Sequence, residues 1–405
     1  MRVKNDFGRI CGNDMGNIFD NSKEWLLQEG AKYTSLRELT QHWVIQMRQS
    51  GIPIDRINLG VFAIHPEMAG YAVAWDASMP EAIEIPVRRE DTLTPIYLKS
   101  PIKALVEDQK ELSYDLRNPN EVDAFEVFKE YQAKGYQHYY GFPILYENSA
   151  VAALTLCTKN AQGFTPEMIQ GLRTLFPVLK LLLGVLETRR LAKTVLRTYL
   201  GRETGERVLS GEIIRGQGEF IDAALWLCDL RDFTSMTETI GSESMIDVMN
   251  TYFDCMAKAV WAEDGEILKF MGDAMLVVFR KNEQATTSQV VQRALSAAKA
   301  AQANLQLVSD NRVAEGFVSL KAGIAIHLGQ VIYGNVGAAS RLDFTVMGHA
   351  VNVVARIQQL SGELGVPILF SQDVAAHLSH TSTSLGRYQV KGVKAEVEVF
   401  KVTES

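Results

Sequence analysis

The 405-residue chain has few cysteines, no basic excess and no long apolar run, and each shortage removes a class of protein. Its four cysteines, Cys11, Cys157, Cys228 and Cys255, include no CxxC pair, which argues against a disulfide framework or zinc ribbon and for a reducing, cytoplasmic setting. Forty-one Lys and Arg stand against 48 Asp and Glu, a net charge of −7, so no broad basic surface is available to grip a nucleic-acid backbone. The most apolar stretch, Val178 to Leu186, is short and contains Lys180, which argues against a membrane span. The opening MRVKNDFGRICGNDMGN lacks the apolar core of a signal peptide. Neither a nucleic-acid nor a membrane partner is expected.

What remains is an ordinary globular composition, 47% apolar and 22% charged, long enough for two or three domains with real cores. Residues 1–22 are rich in Gly, Asn and Asp without periodicity and read as a mobile lead or a cap. Apolar residues then recur at helical spacing from Leu36 to Met47, followed by strand-like INLGVFAI, Tyr71 to Trp75 and AIEIPV. A helical acidic stretch, Glu121 to Ala133, precedes YYGFPILY and AVAALTLCT, a hairpin turning at Glu147, Asn148 and Ser149. FTPEMIQGLRTLF restarts a helix, with Thr165 as N-cap and Pro166 in the first turn. This order predicts a small α/β sensor domain over 23–186, and its layout resembles a GAF-type fold without a quotable motif. His42, His65 and His138 have no metal-ligand spacing and read as ordinary surface or core residues; Cys11 and Cys157 are weak candidates for a chromophore anchor.

Leu172, Leu175, Leu179, Leu182 and Leu186 step by three and four, the spacing of a coiled-coil seam. The stripe reads as a dimer seam or as packing on its own domain, because it is barely two heptads long and Pro177 interrupts it. Residues 187–219, charged and then Gly-rich, suit a helical connector.

The remaining segment, 220–405, carries the chemistry. ALWLCDL is a continuous apolar run, as in a strand buried on both faces, and ends at Asp229 and Leu230. RDFTSMTETIG then enters an amphipathic helix with Met245, Met249, Tyr252, Phe253, Met256 and Val260 on one face. EILKFMGDAMLVVF reads as strand, tight turn, strand, with Asp273 beside Gly272. Two strand-end carboxylates can converge there, although either alone is as readily a turn former. Further on, DFTVMGHAVNVVAR places Asn352 and Arg356 four apart on one helix face; alone they read equally as a cap and a surface ion-pair residue.

Taken together, CDLRDFT, ILKFMGDAMLVVF and DFTVMGHAVNVVAR, in this order, resemble the catalytic domain of class III nucleotidyl cyclases. The resemblance implies a ferredoxin-like βαββαβ core, so the fold class expected for the whole chain is α+β: a GAF-like domain followed by the cyclase domain. It implies that Asp229 and Asp273, with the Leu230 carbonyl, hold two Mg²⁺ or Mn²⁺ ions. It further implies that Lys269 and Thr345 face the purine and Asn352 orients the ribose. Arg356 would meet the α-phosphate, the Phe233 and Thr234 backbone would cradle the terminal phosphates, and Lys391 is a weaker phosphate candidate. A head-to-tail homodimer with sites across its interface follows from the same resemblance.

Adenine offers an acceptor at N1 and a donor at its 6-amino group, so the donor-only Lys269 suits ATP and clashes with guanine N1–H. Thr345 departs from the aspartate of many adenylyl members and matches a Thr/Ser subgroup, some of which respond to bicarbonate. His349 departs from the usual Asp. The rivals are a guanylyl cyclase, a diguanylate cyclase, which would need a GGDEF-like turn, and a catalytically inactive nucleotide-binding or dimerisation module. The expected function is ATP cyclisation to 3′,5′-cyclic AMP, regulated by an unidentified ligand or signal at the amino-terminal domain.

Overall fold

The computed structural model describes residues 12–62, 68–146, 149–378, 382–393 and 395–403, and its chain divides into two compact units, Met1–Val195 and Leu196–Ser405. Cys11, His65 and the turn residues Glu147 and Asn148 lie outside the described residues.

In the first unit, helices α1 (Gly12–Gln28) and α2 (Leu36–Gln49) precede strands β1 (Arg56–Phe62), β2 (Met68–Asp76), β3 (Ile83–Arg88), β4 (Leu112–Asp115), β5 (His138–Tyr146) and β6 (Ser149–Thr158). The strands form one antiparallel sheet in the order β3-β2-β1-β6-β5-β4, and helix α3 (Pro166–Leu200) follows. Ser35 caps α2 by accepting from the Glu38 N–H, and Leu36, Leu39, Trp43, Val44 and Met47 supply its buried stripe. Thr165 accepts from the Met168 N–H at 3.3 Å ahead of Pro166, as the sequence indicates.

Three readings are decided here. Residues 12–22 belong to α1, with Phe19 and Leu26 buried and Ser22 Oγ donating to Gln46 Oε1 at 2.8 Å; a few apolar residues at helical spacing outweigh the Gly/Asn-rich composition. Helix α3 runs through Pro177 without a break and continues past residue 186 to Leu200, so the connector begins as this helix. Glu187, raised by burial, accepts from the Tyr71 hydroxyl, and Arg190 stacks on Tyr71 and pairs with Glu84 at 2.8 Å, tying that stretch to the sheet. Leu172, Leu175, Leu179 and Leu186 are buried with Phe19, Leu26, Trp43, Ile57 and Leu59, so the leucine stripe packs on its own domain. By length and composition alone α3 could cross a bilayer, yet seven of its residues are buried in the protein.

The described histidines and cysteine of this unit, His42, His138 and Cys157, have structural partners. His42 stacks on Tyr33 and bonds the Glu38 carbonyl; His138 accepts from the Phe164 N–H and meets Ser113 Oγ. Cys157 lies on the sheet face covered by Phe128, Tyr136 and Tyr139, where burial pushes its thiol up to about 12. That thiol is packed in the core, a setting that disfavours the reactive thiolate.

The second unit comprises α4 (Arg202–Leu209), β7 (Gly218–Leu230), α5 (Phe233–Ile240), α6 (Ser242–Ala262), β8 (Glu266–Met271), β9 (Ala274–Arg280), α7 (Thr287–Ala314), β10 (Ala322–Ala338), β11 (Arg341–Met347), α8 (His349–Glu363), β12 (Ile368–Ser371), β13 (Ser382–Tyr388) and β14 (Val397–Val402). Its sheet runs β13-β14-β12-β10-β7-β9-β8, with β11 paired to β10. Within it β7-α-β8-β9-α-β10 forms a βαββαβ core with strand order 4-1-3-2, the ferredoxin-like arrangement the sequence implies. Alternation explains the continuous apolar run of β7. Ala224, Trp226 and Cys228 face α6 and α7, whereas Ala223, Leu225 and Leu227 face α8, so both sides of the strand are core.

Candidate active site

Strand β7 delivers its last polar side chain, Asp229, on the α8 side of the sheet. Cys228 pairs with Met275 across the β7–β9 ladder, so the next step along each strand brings Asp229 beside the turn that carries Asp273. Gly272 takes a left-handed φ of 66° in that turn, a conformation that glycine adopts without strain. Burial raises the Asp229 carboxyl, the charge of Asp273 raises it further, and Arg231 and Gln358 act the other way. Burial likewise raises Asp273. Leu230 is buried in the core, and its apolar side chain has no ligand atom, so a metal could be met only by its carbonyl.

Two half-buried carboxylates that repel each other form a hard-oxygen site that a divalent cation would neutralise. No cluster of three or more His, Cys, Asp or Glu side chains able to hold a metal exists among the described residues. The pair therefore fits Mg²⁺ or Mn²⁺ shared with substrate phosphates, which needs only one or two carboxylates, and not an all-protein cage.

Immediately after the carboxylate, Asp232 turns the chain at φ 59° into α5 and makes no side-chain bond to the first helical turn. The backbone of Phe233 and Thr234 thus opens a helix N-terminus at the strand end, a setting suited to phosphate. Next to it, Arg231 donates to Ser361 Oγ at 2.6 Å and fills the space over Gly323, where an added Cβ would lie 1.8 Å from the guanidinium.

Lys269 sits on β8 after a register shift between Ile267 and Lys269, and its Nζ meets Asp343 Oδ2 at 2.8 Å. Thr345, two residues further along β11, is 7% exposed, and its hydroxyl is buried without a hydrogen-bond partner. An orphaned buried hydroxyl costs free energy that a bound donor or acceptor would recover. Phe344, between them, packs edge-on against Tyr333 at 4.7 Å.

On α8, Asn352 is exposed at the helix surface. Arg356 Nε donates to the Lys391 carbonyl at 3.0 Å and Nη1 to Gln359 Oε1 at 2.9 Å, so two sequence candidates, Arg356 and Lys391, meet. The Lys391 side chain is exposed beside Gly392. His349 opens α8 and is exposed, while His327 is buried, bonded through Nδ1 to Ser371 Oγ at 2.9 Å and held down to about 4 by burial.

The chain brings together Asp229 with Asp273, Lys269 with the strand of Thr345, and Arg356 with Lys391. No hydrogen bond or ion pair among the described residues joins the carboxylate pair to Lys269 or Arg356. Sequence reasoning missed Asp343 and Gln358. Asp343 shares a strand face with Thr345, an i,i+2 relation that was readable; Gln358 is 6% exposed, its amide nitrogen unpartnered and near Asp229, and one helical pattern gave no sign of it.

Comparison with known proteins matches residues 218–404 to the family described as the adenylate and guanylate cyclase catalytic domain. An adenylate cyclase of Anabaena cylindrica is 35% identical over 173 residues, covering 42% of this chain and 33% of the relative. Adenylate cyclase 1 of Rhizobium meliloti is 28% identical over 194 residues, 46% of this chain and 29% of the relative. The chain thus spans about a third of the length of these relatives. The crystal structure of the adenylyl cyclase CyaB from P. aeruginosa aligns at 25% identity and a TM-score of 0.43, covering 47% of this chain and 97% of that one. Residues 218–404, with their βαββαβ core and strand-end aspartates, belong to the class III adenylate and guanylate cyclase catalytic-domain family.

Proposed function

We propose that the protein is an adenylate cyclase that converts ATP to 3′,5′-cyclic AMP and pyrophosphate at two equivalent sites shared across a homodimer. The supporting observation is that one chain carries the carboxylate pair, the Lys269–Thr345 base reader, Asn352 and Arg356 all intact on the strands and helix that a cyclase domain uses. Inactive relatives would be expected to lose one of these.

The reaction forms a bond between the ribose 3′ oxygen and the α-phosphorus and breaks the bond from that phosphorus to the bridging oxygen. Pyrophosphate leaves and the hydroxyl proton passes to solvent. Divalent cations held by Asp229 and Asp273 would acidify the 3′-hydroxyl and neutralise the triphosphate. Lys269 donates to adenine N1 and Thr345 meets the adjacent edge. Asn352 holds the ribose so that its hydroxyl stays in line. Arg356, permanently charged and forked, stabilises the negative charge that grows on the α-phosphoryl oxygens. The Phe233–Thr234 backbone and Lys391 hold the terminal phosphates.

In the proposed dimer the carboxylates of one protomer serve the base, ribose and arginine contacts of its mate. Phe270 and Met271, 52% and 43% exposed beside Lys269, are the apolar side chains such an interface would cover. The amino-terminal unit, read as GAF-like, would regulate the geometry of this pairing. Incubation with ATP and Mn²⁺ followed by nucleotide chromatography tests the reading: cyclic AMP supports it, whereas unaltered ATP that nonetheless binds tightly replaces it with a binding module.

A further inference from the structure

Lys269 and Asp343 stand 74 positions apart in the chain and are joined at 2.8 Å. Their side chains are 31% and 59% exposed, so the pair contributes little to folding, as for most exposed ion pairs. Its effect is on direction. The register shift at Ile267/Lys269 leaves Leu268 as the extra residue and re-aims the strand just before Lys269, which rejoins the ladder opposite Leu276. Asp343 and Thr345 are two apart on β11 and project from the same face. The carboxylate therefore holds the Lys269 ammonium on the side of β11 from which the unpartnered Thr345 hydroxyl projects.

We propose that Asp343 is the positioning and specificity-determining residue of the purine site, fixing Lys269 toward the base and keeping a cation between its own carboxylate and a guanine edge. This inference rests on the reading of Lys269 and Thr345 as the base contacts. An ammonium has three N–H donors; one is spent on Asp343 Oδ2, which leaves the others for an acceptor such as adenine N1. A free carboxylate beside that edge would accept from guanine N1–H and its 2-amino group. Pairing with Lys269 engages one carboxylate oxygen and sets a cation in front of the lone pairs that remain, so a guanine N1–H approaching them meets the ammonium first, and the same contact that orients the adenine reader also disfavours guanine.

The full-length protein is titrated by calorimetry, with Mn²⁺, against 3′-deoxy-ATP and 3′-deoxy-GTP, which cannot cyclise. Asp343→Asn should weaken 3′-deoxy-ATP by about fivefold or more, leave 3′-deoxy-GTP unchanged or tighter, and be largely rescued by Asp343→Glu. Lys269→Met should lose the adenine preference, and adding Asp343→Asn to it should cost no further 3′-deoxy-ATP affinity. Equal effects on the two nucleotides, effects within about twofold, or additivity with Lys269→Met would overturn the assignment. Cyclisation of ATP is measured separately on the wild type. Absence of cyclic AMP together with the expected binding shifts would remove the enzymatic reading and leave the role of Asp343 standing.

Discussion

Arg356 hooks its Nε onto the backbone carbonyl of Lys391 at 3.0 Å, and Gln359 takes Nη1 at 2.9 Å. The guanidinium is therefore oriented by the protein itself, with Nη2 unengaged among the described residues. Preorganised charge of this kind acts on the transition state without having to reorganise. Arg356→Ala should lower kcat by about 100-fold or more with little change in KM, and Arg356→Lys should recover only part of it, because an ammonium cannot reproduce the fork. Steady-state kinetics checks the split, and unchanged turnover would remove the role.

Among the described residues no third acidic, His or Cys side chain joins Asp229 and Asp273, so a divalent cation at the proposed site would be recruited largely with substrate. Chelation should abolish cyclisation and added Mn²⁺ should restore it. Asp273→Asn should lower kcat by about 1,000-fold and also erase the rise in melting temperature that Mn²⁺ with ATP gives the wild type. A variant that keeps that rise would place the cation elsewhere.

His327 links pH to stability. Its folded-state value is about 4 against 6.5 for a free histidine, because burial, with the nearby His349 charge, outweighs Asp373. The unfolded chain binds the proton more tightly, so this contribution is complete above pH 6.5 and falls as pH drops toward 4. The loss is about 3 kcal/mol. Denaturant titrations at pH 7 and pH 5 should show about 2 kcal/mol of it, and His327→Gln should flatten the difference.

The leucine stripe of α3 gives a contrast within one helix. Leu179 is fully buried and Leu181 is 66% exposed. Leu179→Ala should cost about 3 kcal/mol of stability in the first unit, and Leu181→Ala under about 0.5 kcal/mol. If Leu179→Ala instead dissociated an assembly at unchanged stability, measured by sedimentation and denaturation together, the stripe would be a seam after all.

Much of the second unit was legible because its signals are local. The apolar run of β7 follows from core on both faces, the turn at Gly272–Asp273 from turn chemistry, and the Asn352–Arg356 spacing from helical geometry. What stayed hidden depends on tertiary contact: the face of Asp343 was readable from its i,i+2 relation to Thr345, but its pairing shows only when Lys269 arrives from 74 positions away, and Gln358 only when α8 packs near Asp229. The leucine spacing was read correctly, but spacing does not say which surface the helix will meet. Helix α1 was obscured because Gly and Asn have low helix propensity, while Phe19, Ser22 and Leu26 were enough to dock it.

Complementation between two dead variants tests the shared site most directly. Asp273→Asn and Arg356→Ala proteins, each inactive alone, are mixed, allowed to exchange subunits and assayed with ATP and Mn²⁺. Random pairing puts about half the molecules in mixed dimers, each with one intact site, so activity should return to about a quarter of the wild-type value. If exchange is confirmed by mass and the mixture stays at the sum of its parts, each protomer must carry its own complete site and the shared-site account is wrong.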